Sequence, residues 1–137
     1  SNNKIGVLVG LRGDNHGLAQ DLAMHVAAVN PVVVESKDMP SDLLAAEEEI
    51  YAAQAKETGK PDKIIEKMVS GRLKKFLKEN SLMDQPFVKD GDITVGELVK
   101  SHNAEVICFE RFEVGEGVAV EEVNFAAEVA EQLKNST

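Results

Sequence analysis

The chain has 137 residues, 43% of them hydrophobic, and a formal charge of −9 from 15 Lys plus Arg against 24 Asp plus Glu. That length suits one domain with its own core, and the acidic balance excludes whole-surface attraction to phosphate backbones or anionic lipids. The single cysteine, Cys108, excludes an internal disulfide and points to a reducing, cytoplasmic setting, and no apolar run reaches the ~18 residues of a membrane span.

The N-terminus, SNNKIGVLVG, lacks the build of a secretory signal, and Ser1 directly before an apolar run is expected to mark a boundary inside a longer protein. KIGVLVGLR, residues 4 to 12, reads as a strand, and residues 13 to 17 as a turn. Leu18, Leu22, Val26 and Val29 then recur at helical spacing, and Pro31 stops that helix. VVVES is a short extended piece. Ser41 or Asp42 can cap a helix reaching about Thr58. Thr58-Gly59-Lys60-Pro61 separates it from a second helix, from Pro61 to about Lys78, in which Ile65, Val69, Leu73 and Phe76 form a stripe widened by Ile64, Met68 and Leu77.

So short a link makes the two helices antiparallel neighbours. The first carries Asp42, Glu47, Glu48, Glu49 and Glu57 against Lys56. The second carries Lys60, Lys63, Lys67, Arg72, Lys74, Lys75 and Lys78 against Asp62 and Glu66. Opposite charges support the pairing, but exposed pairs contribute only ~0.5 kcal/mol each, so the apolar seam must stabilise it. Beyond a loop, ITVGELVKSHN reads as a short helix and AEVICFERFEVG as a strand or hairpin. In it Val106, Cys108 and Glu110 alternate with Ile107 and Phe109. VNFAAEVAEQLKN is a last helix, with Phe125, Val129 and Leu133 four residues apart.

Few motifs carry chemistry. Glycines 6, 10 and 13 do not have dinucleotide-loop spacing, and two of them fall inside the strand. Glu116, between Gly115 and Gly117, would repel a phosphate. Arg12-Gly13-Asp14 is a chance match to an adhesion tripeptide. His16, His25 and His102 lack metal-site spacing, so cap, core or surface roles are expected. Cys108 between Ile107 and Phe109 is expected to be a packed thiol, and Asp14, Asp21 and Glu47 to Glu49 to be solvated carboxylates. Nothing identifies an enzyme, and no cofactor, metal or small-molecule substrate is expected. The basic helix 60–78 leaves a nucleic-acid-binding module as an alternative, although Phe76 is its only aromatic. Gln85-Pro86-Phe87-Val88 stands open between a satellite of the core, the default, and an exposed recognition patch.

The blocks IGVLV, LAMHVAAVNP, KETGKPDKIIEKMVSGRLKKF, SLMDQPFVKDGDITVGELVK, HNAEVICFERFEVGEG and NFAAEVAEQLK, in this order over residues 4 to 134, resemble the elongation factor Ts family. Its members are bacterial guanine-nucleotide exchange factors for elongation factor Tu. The resemblance is to the C-terminal half of the family; the Thr-Asp-Phe-Val tetrapeptide of the other half does not occur here. It implies an α+β fold: a small antiparallel sheet with packed helices, plus a protruding antiparallel helical hairpin, or coiled coil. Residues 1–39 and 80–118 would form half of the core, 40–79 the hairpin and 119–137 a C-terminal helical module. The resemblance also implies that Gln85, Pro86, Phe87 and Val88 belong to an apolar contact with the β-barrel third domain of elongation factor Tu. Lys89 borders that contact where the family can carry an apolar residue. Phe125 and Val129 would touch the partner's nucleotide domain. On this reading the chain keeps docking and little exchange activity, and Phe87→Ala would weaken the partner without lowering thermal stability.

Overall fold

The computed structural model describes residues 4–13 and 15–114. Asp14, the GEG at 115 to 117 and the expected helix carrying Phe125, Val129 and Leu133 lie outside the described residues. What is described is α+β, as expected. Strand β1, Lys4–Arg12, leads to helix α1, His16–Val29. Helices α2, Ser41–Lys56, and α3, Asp62–Asn80, follow. Two short strands, β2 at Pro86–Phe87 and β3 at Asp90–Thr94, precede helix α4, Val95–Ser101, and strand β4, Glu105–Val114.

β1 and β4 pair antiparallel from Lys4 opposite Val114 to Arg12 opposite Glu105. Gly6 is needed there because a Cβ on it would sit 2.5 Å from Cζ of Phe112, whose ring lies across the bare backbone. The expected alternation of β4 fails at one point. Gly10 faces Cys108 and Leu11 faces Val106, so Ile107 is an extra residue, a β-bulge. The bulge changes the phase of the strand, which lets Val106 and Phe109 both pack on one core.

That core joins Leu18, Leu22 and Val26 of α1 to Leu82, Phe87, Val95, Val99 and Val106. Three of the four apolar positions read from α1 are buried; Val29, at its end, is exposed. Asn15 caps α1 by accepting the Leu18 N–H at 2.9 Å, and Asn30 closes it in the left-handed conformation, its N–H on the Val26 carbonyl. Arg111 of β4 donates from Nε and Nη2 to the Ala27 carbonyl, at 3.3 and 3.2 Å, fixing the last turn of α1 to the sheet. The segment 93–103 is not helical throughout: Ile93 and Thr94 close β3, and α4 starts at Val95 behind a capping box of Thr94 and Glu97 and ends at Ser101.

α2 and α3 pack on each other as a hairpin. Gly59, at φ +70°, makes the turn. Neither Ser41 nor Asp42 caps α2, because Pro40 occupies the cap position with no side-chain hydrogen bond. In the seam Val69 is buried and Ile65, Met68, Leu73, Phe76 and Leu77 are half-buried, whereas Ile64 faces solvent. At the base of the hairpin the two connecting segments hold each other. Val32 and Val33 donate to the Asn80 carbonyl, Leu82 and Met83 donate to Val33 and Val34, and Ser36 Oγ donates to Asp84 Oδ2 at 2.6 Å. No helix among the described residues is long and apolar enough to cross a membrane.

Candidate docking site at the 85–89 loop

Gln85, Pro86 and Phe87 run extended, and extended backbone turns successive side chains to opposite sides; Val88 and Lys89 form the turn that follows. Gln85 is 2% exposed and Phe87 5% exposed, while Pro86, Val88 and Lys89 face solvent. The loop is thus neither wholly core nor wholly patch. Of the two readings left open for the loop, Phe87 takes the core one: its ring belongs to the cluster that holds Leu22 and Val26. Gln85 is likewise turned inward.

A buried histidine sets this alternation. His25 of α1 is 0% exposed, and its ring stacks on Phe87 with centroids 6.0 Å apart and planes at 24°. Its Nδ1 accepts the Val88 N–H at 3.2 Å. A backbone N–H can only donate, so in the neutral ring the proton sits on Nε2, which donates to Gln85 Oε1 at 2.9 Å. Gln85 Nε2 in turn donates to the Glu79 carbonyl at 2.7 Å, in the last turn of α3. Among the described residues every buried side-chain nitrogen and oxygen has a partner. A polar residue can therefore be drawn inward here while valine, at 45% exposure, is left outside.

Burial lowers the His25 pKa below its ordinary 6.5, partly offset by the Gln85 hydrogen bond. The native state thus binds this proton less readily than the unfolded chain. The His25 contribution to stability is complete above 6.5 and falls as pH drops from there through the lower native value. Urea titrations between pH 7.5 and 5 should show stability rising with pH across that window, by at most about 1.4 kcal/mol per pH unit. His25→Gln should flatten that part of the curve; an unchanged slope would assign it to other groups.

Lys89 Nζ reaches Asp21 Oδ1 at 2.7 Å, so the loop is bonded to α1 at Asp21 and at His25. Met24 lies between those two positions and is 54% exposed. Met24, Pro86 and Val88 are thus exposed apolar side chains on two segments tied together at Asp21 and His25. The sequence reading did not single out Met24, although a signal was present: it falls off the 18, 22, 26 stripe that supplies the buried face of α1.

Other candidates resolve into structural roles. His102 Nδ1 meets Asn15 Nδ2 at 2.9 Å, joining the end of α4 to the start of α1, and His16 Nε2 meets Gln20 at 3.3 Å. Cys108 is half-buried, and burial raises its thiol pKa against a smaller opposing hydrogen bond from Gly10, which disfavours the thiolate. No group of three or more potential metal ligands occurs among the described residues. The nucleic-acid alternative gains nothing from the hairpin: Phe76 is packed in the seam and the Tyr51 ring is covered by Arg72, so neither offers a face to a base.

The family model described as Elongation factor TS matches residues 1–116. The chain is 57% identical over 133 residues to elongation factor Ts of Hahella chejuensis, covering 97% of this chain and 46% of that protein. It is 56% identical over 137 residues to elongation factor Ts of Teredinibacter turnerae, covering 99% and 47%, and 52% identical over 131 residues to that of Legionella pneumophila, covering 96% and 45%. The chain spans about half the length of these curated relatives. A match this long, running from β1 through the loop to β4, means that the chain belongs to the elongation factor Ts family.

Proposed function

We propose that this chain carries part of the surface by which a translation elongation factor engages elongation factor Tu and promotes GDP release, acting in the cytoplasm as a non-enzymatic exchange factor. The observation that supports this reading is family membership at 57% identity over 97% of the chain. Exchange of this kind needs no covalent chemistry. A factor that binds the nucleotide-free partner more tightly than the nucleotide-bound one must, by reciprocity, weaken nucleotide binding to the same extent. The contribution of this half is docking: Pro86, Val88 and Met24 supply apolar contact, Lys89 stands at the rim, and Gln85 and Phe87 act from behind by holding the loop. Phe125 and Val129, in the proposed C-terminal module, make a second contact.

The test uses purified elongation factor Tu loaded with fluorescent GDP. The chain should be captured by the nucleotide-free partner yet leave GDP release close to its spontaneous rate; release at the rate of full-length elongation factor Ts would refute the division of labour. Met24→Asp combined with Val88→Asp places two charges in the proposed contact. Capture should weaken at least tenfold, about 1.4 kcal/mol or more, with no drop in thermal midpoint. Unchanged capture would remove the loop from the interface.

A further inference from the structure

His25 makes its two hydrogen bonds to the docking loop from chemically different nitrogens. Nε2 carries the ring proton and donates to Gln85 Oε1 at 2.9 Å, whereas Nδ1 is bare and accepts the Val88 N–H at 3.2 Å. A second proton, taken from solvent, has one place to go. On Nδ1 it points at the Val88 N–H, donor against donor, and that bond is lost. The Nε2 bond keeps its sense: an imidazolium still donates to Gln85, more strongly for being charged. One protonation therefore cuts the tie to Val88 and keeps the tie to Gln85.

Among the described residues little else ties the loop to α1 at that point. Val88 and Lys89 form the turn between β2 and β3, and Val88 is 45% exposed. Past the His25 bond, the turn reaches α1 through Lys89 Nζ on Asp21 Oδ1 at 2.7 Å, an ion pair whose side chains are 52% and 33% exposed. A pair so open to solvent contributes little. The residues before the turn are better held: Gln85 Nε2 donates to the Glu79 carbonyl, and Phe87 belongs to the core. The break falls between Phe87 and Val88.

Among the described residues no carboxylate is bonded to the ring, whose pKa is lowered by burial against the Gln85 hydrogen bond. On the surrounding elements, Asp21 of α1 is held by Lys89, Glu79 of α3 by Lys75 and Asp84 by Ser36. Arg111 of β4 is bonded to the Ala27 carbonyl, and Lys78, Asp90 and Glu97 are exposed. An imidazolium formed here is stabilised by water, and water enters where the exposed turn lifts away.

We propose that His25 is a proton-operated latch on the docking loop: neutral, it clamps Val88 to α1; protonated at Nδ1, it frees the turn at residues 88 and 89 while Gln85, Phe87 and the core stay in place. This rests on the reading of Val88 as part of the contact with elongation factor Tu and adds its regulation, since only the latched chain docks. The sign follows from the geometry: capture is complete at neutral pH and is lost as pH falls through the native His25 titration. A partner that binds the neutral form alone loses up to about tenfold in affinity per pH unit below it.

The experiment first uses the 137-residue chain alone, from about pH 7.5 to about pH 5. The ring resonances of His25 follow its titration, and hydrogen exchange follows each amide. Protection of the Val88 amide should fall about tenfold or more in step with His25, while Leu22 and Val99 keep theirs. Protection of Val88 that outlasts the titration, or loss at all three amides together, would overturn the latch. Capture by nucleotide-free elongation factor Tu is then compared over the same range with His25→Asn, whose carboxamide oxygen stands in for Nδ1 and takes no proton. Wild-type capture should weaken about tenfold or more relative to His25→Asn, a ratio from which the partner's own titration cancels. If His25→Asn does not fold, the wild-type amides decide the latch by themselves. Equal pH dependence of the two chains would overturn the gating. Failure of the docking reading is a separate result: Met24→Asp with Val88→Asp leaving capture unchanged at neutral pH.

Discussion

Phe87→Ala lowers the stability of this chain by about 3 to 5 kcal/mol, the range for removing a well-packed core phenylalanine. The ring is 5% exposed, is one of the eight buried residues of the core and stacks on His25. Truncation removes transfer energy and leaves a cavity bounded by α1, α4 and the loop, elements that are pinned at both ends and collapse poorly. In urea the midpoint should fall with little change in slope, and the thermal midpoint should drop by roughly 10 to 20 °C. Pro86→Ala and Val88→Ala, one residue to either side, should each cost less than about 1 kcal/mol, because their side chains face solvent. A Phe87→Ala loss as small as theirs would mean that the ring is not in the core. Because the substitution also loosens Val88 and Pro86, weak partner capture by Phe87→Ala alone does not establish that the ring touches the partner.

The second large effect is on the polar support behind the loop. His25→Leu keeps most of the volume but leaves Gln85 Oε1, in a buried site, without its donor and the part-buried Val88 N–H without its acceptor. Each orphaned group costs about 1 to 3 kcal/mol, so a loss of about 3 kcal/mol is expected, with faster hydrogen exchange at the Val88 amide. Adding Gln85→Leu to His25→Leu should cost less than the sum of the two single changes, since the stranded oxygen is removed along with its lost partner. The coupling should be at least 1 kcal/mol, reduced from full compensation because the Glu79 carbonyl then loses the Gln85 amide. Strict additivity in this cycle would show that His25 and Gln85 do not act as a pair.

These two experiments concern the place where residue-level reading stops. The helical stripes were legible because a 3.6-residue period is a local property: Leu18, Leu22 and Val26 are buried as their spacing predicts, and so is Val69 in the hairpin. β2 was not, since a two-residue strand beginning with proline has no period to detect. The phase of β4 was not, since the bulge at Ile107 depends on how Gly10 and Leu11 present themselves from a strand nearly a hundred positions earlier. The start of α4 was written in Thr94 and Glu97 as a capping box, a signal present and passed over.

The candidate site divides the same way. That residues 85 to 89 form a special segment could be read from the quoted blocks, but not which of them face outward. Hydrophobicity alone orders Val88 inward and Gln85 outward, and the fold has them reversed, because His25, sixty residues away in sequence, offers one hydrogen bond to the Gln85 side chain and another to the Val88 backbone. By itself the sequence determined the kinds and order of the longer elements β1, α1, α2, α3, α4 and β4, the acidic and basic halves of the hairpin and the family. Tertiary structure alone decided the direction of each side chain in the loop and the phase of β4. Helix and strand tendencies are set by neighbours along the chain, whereas burial of a polar group depends on a partner brought to it by the rest of the fold.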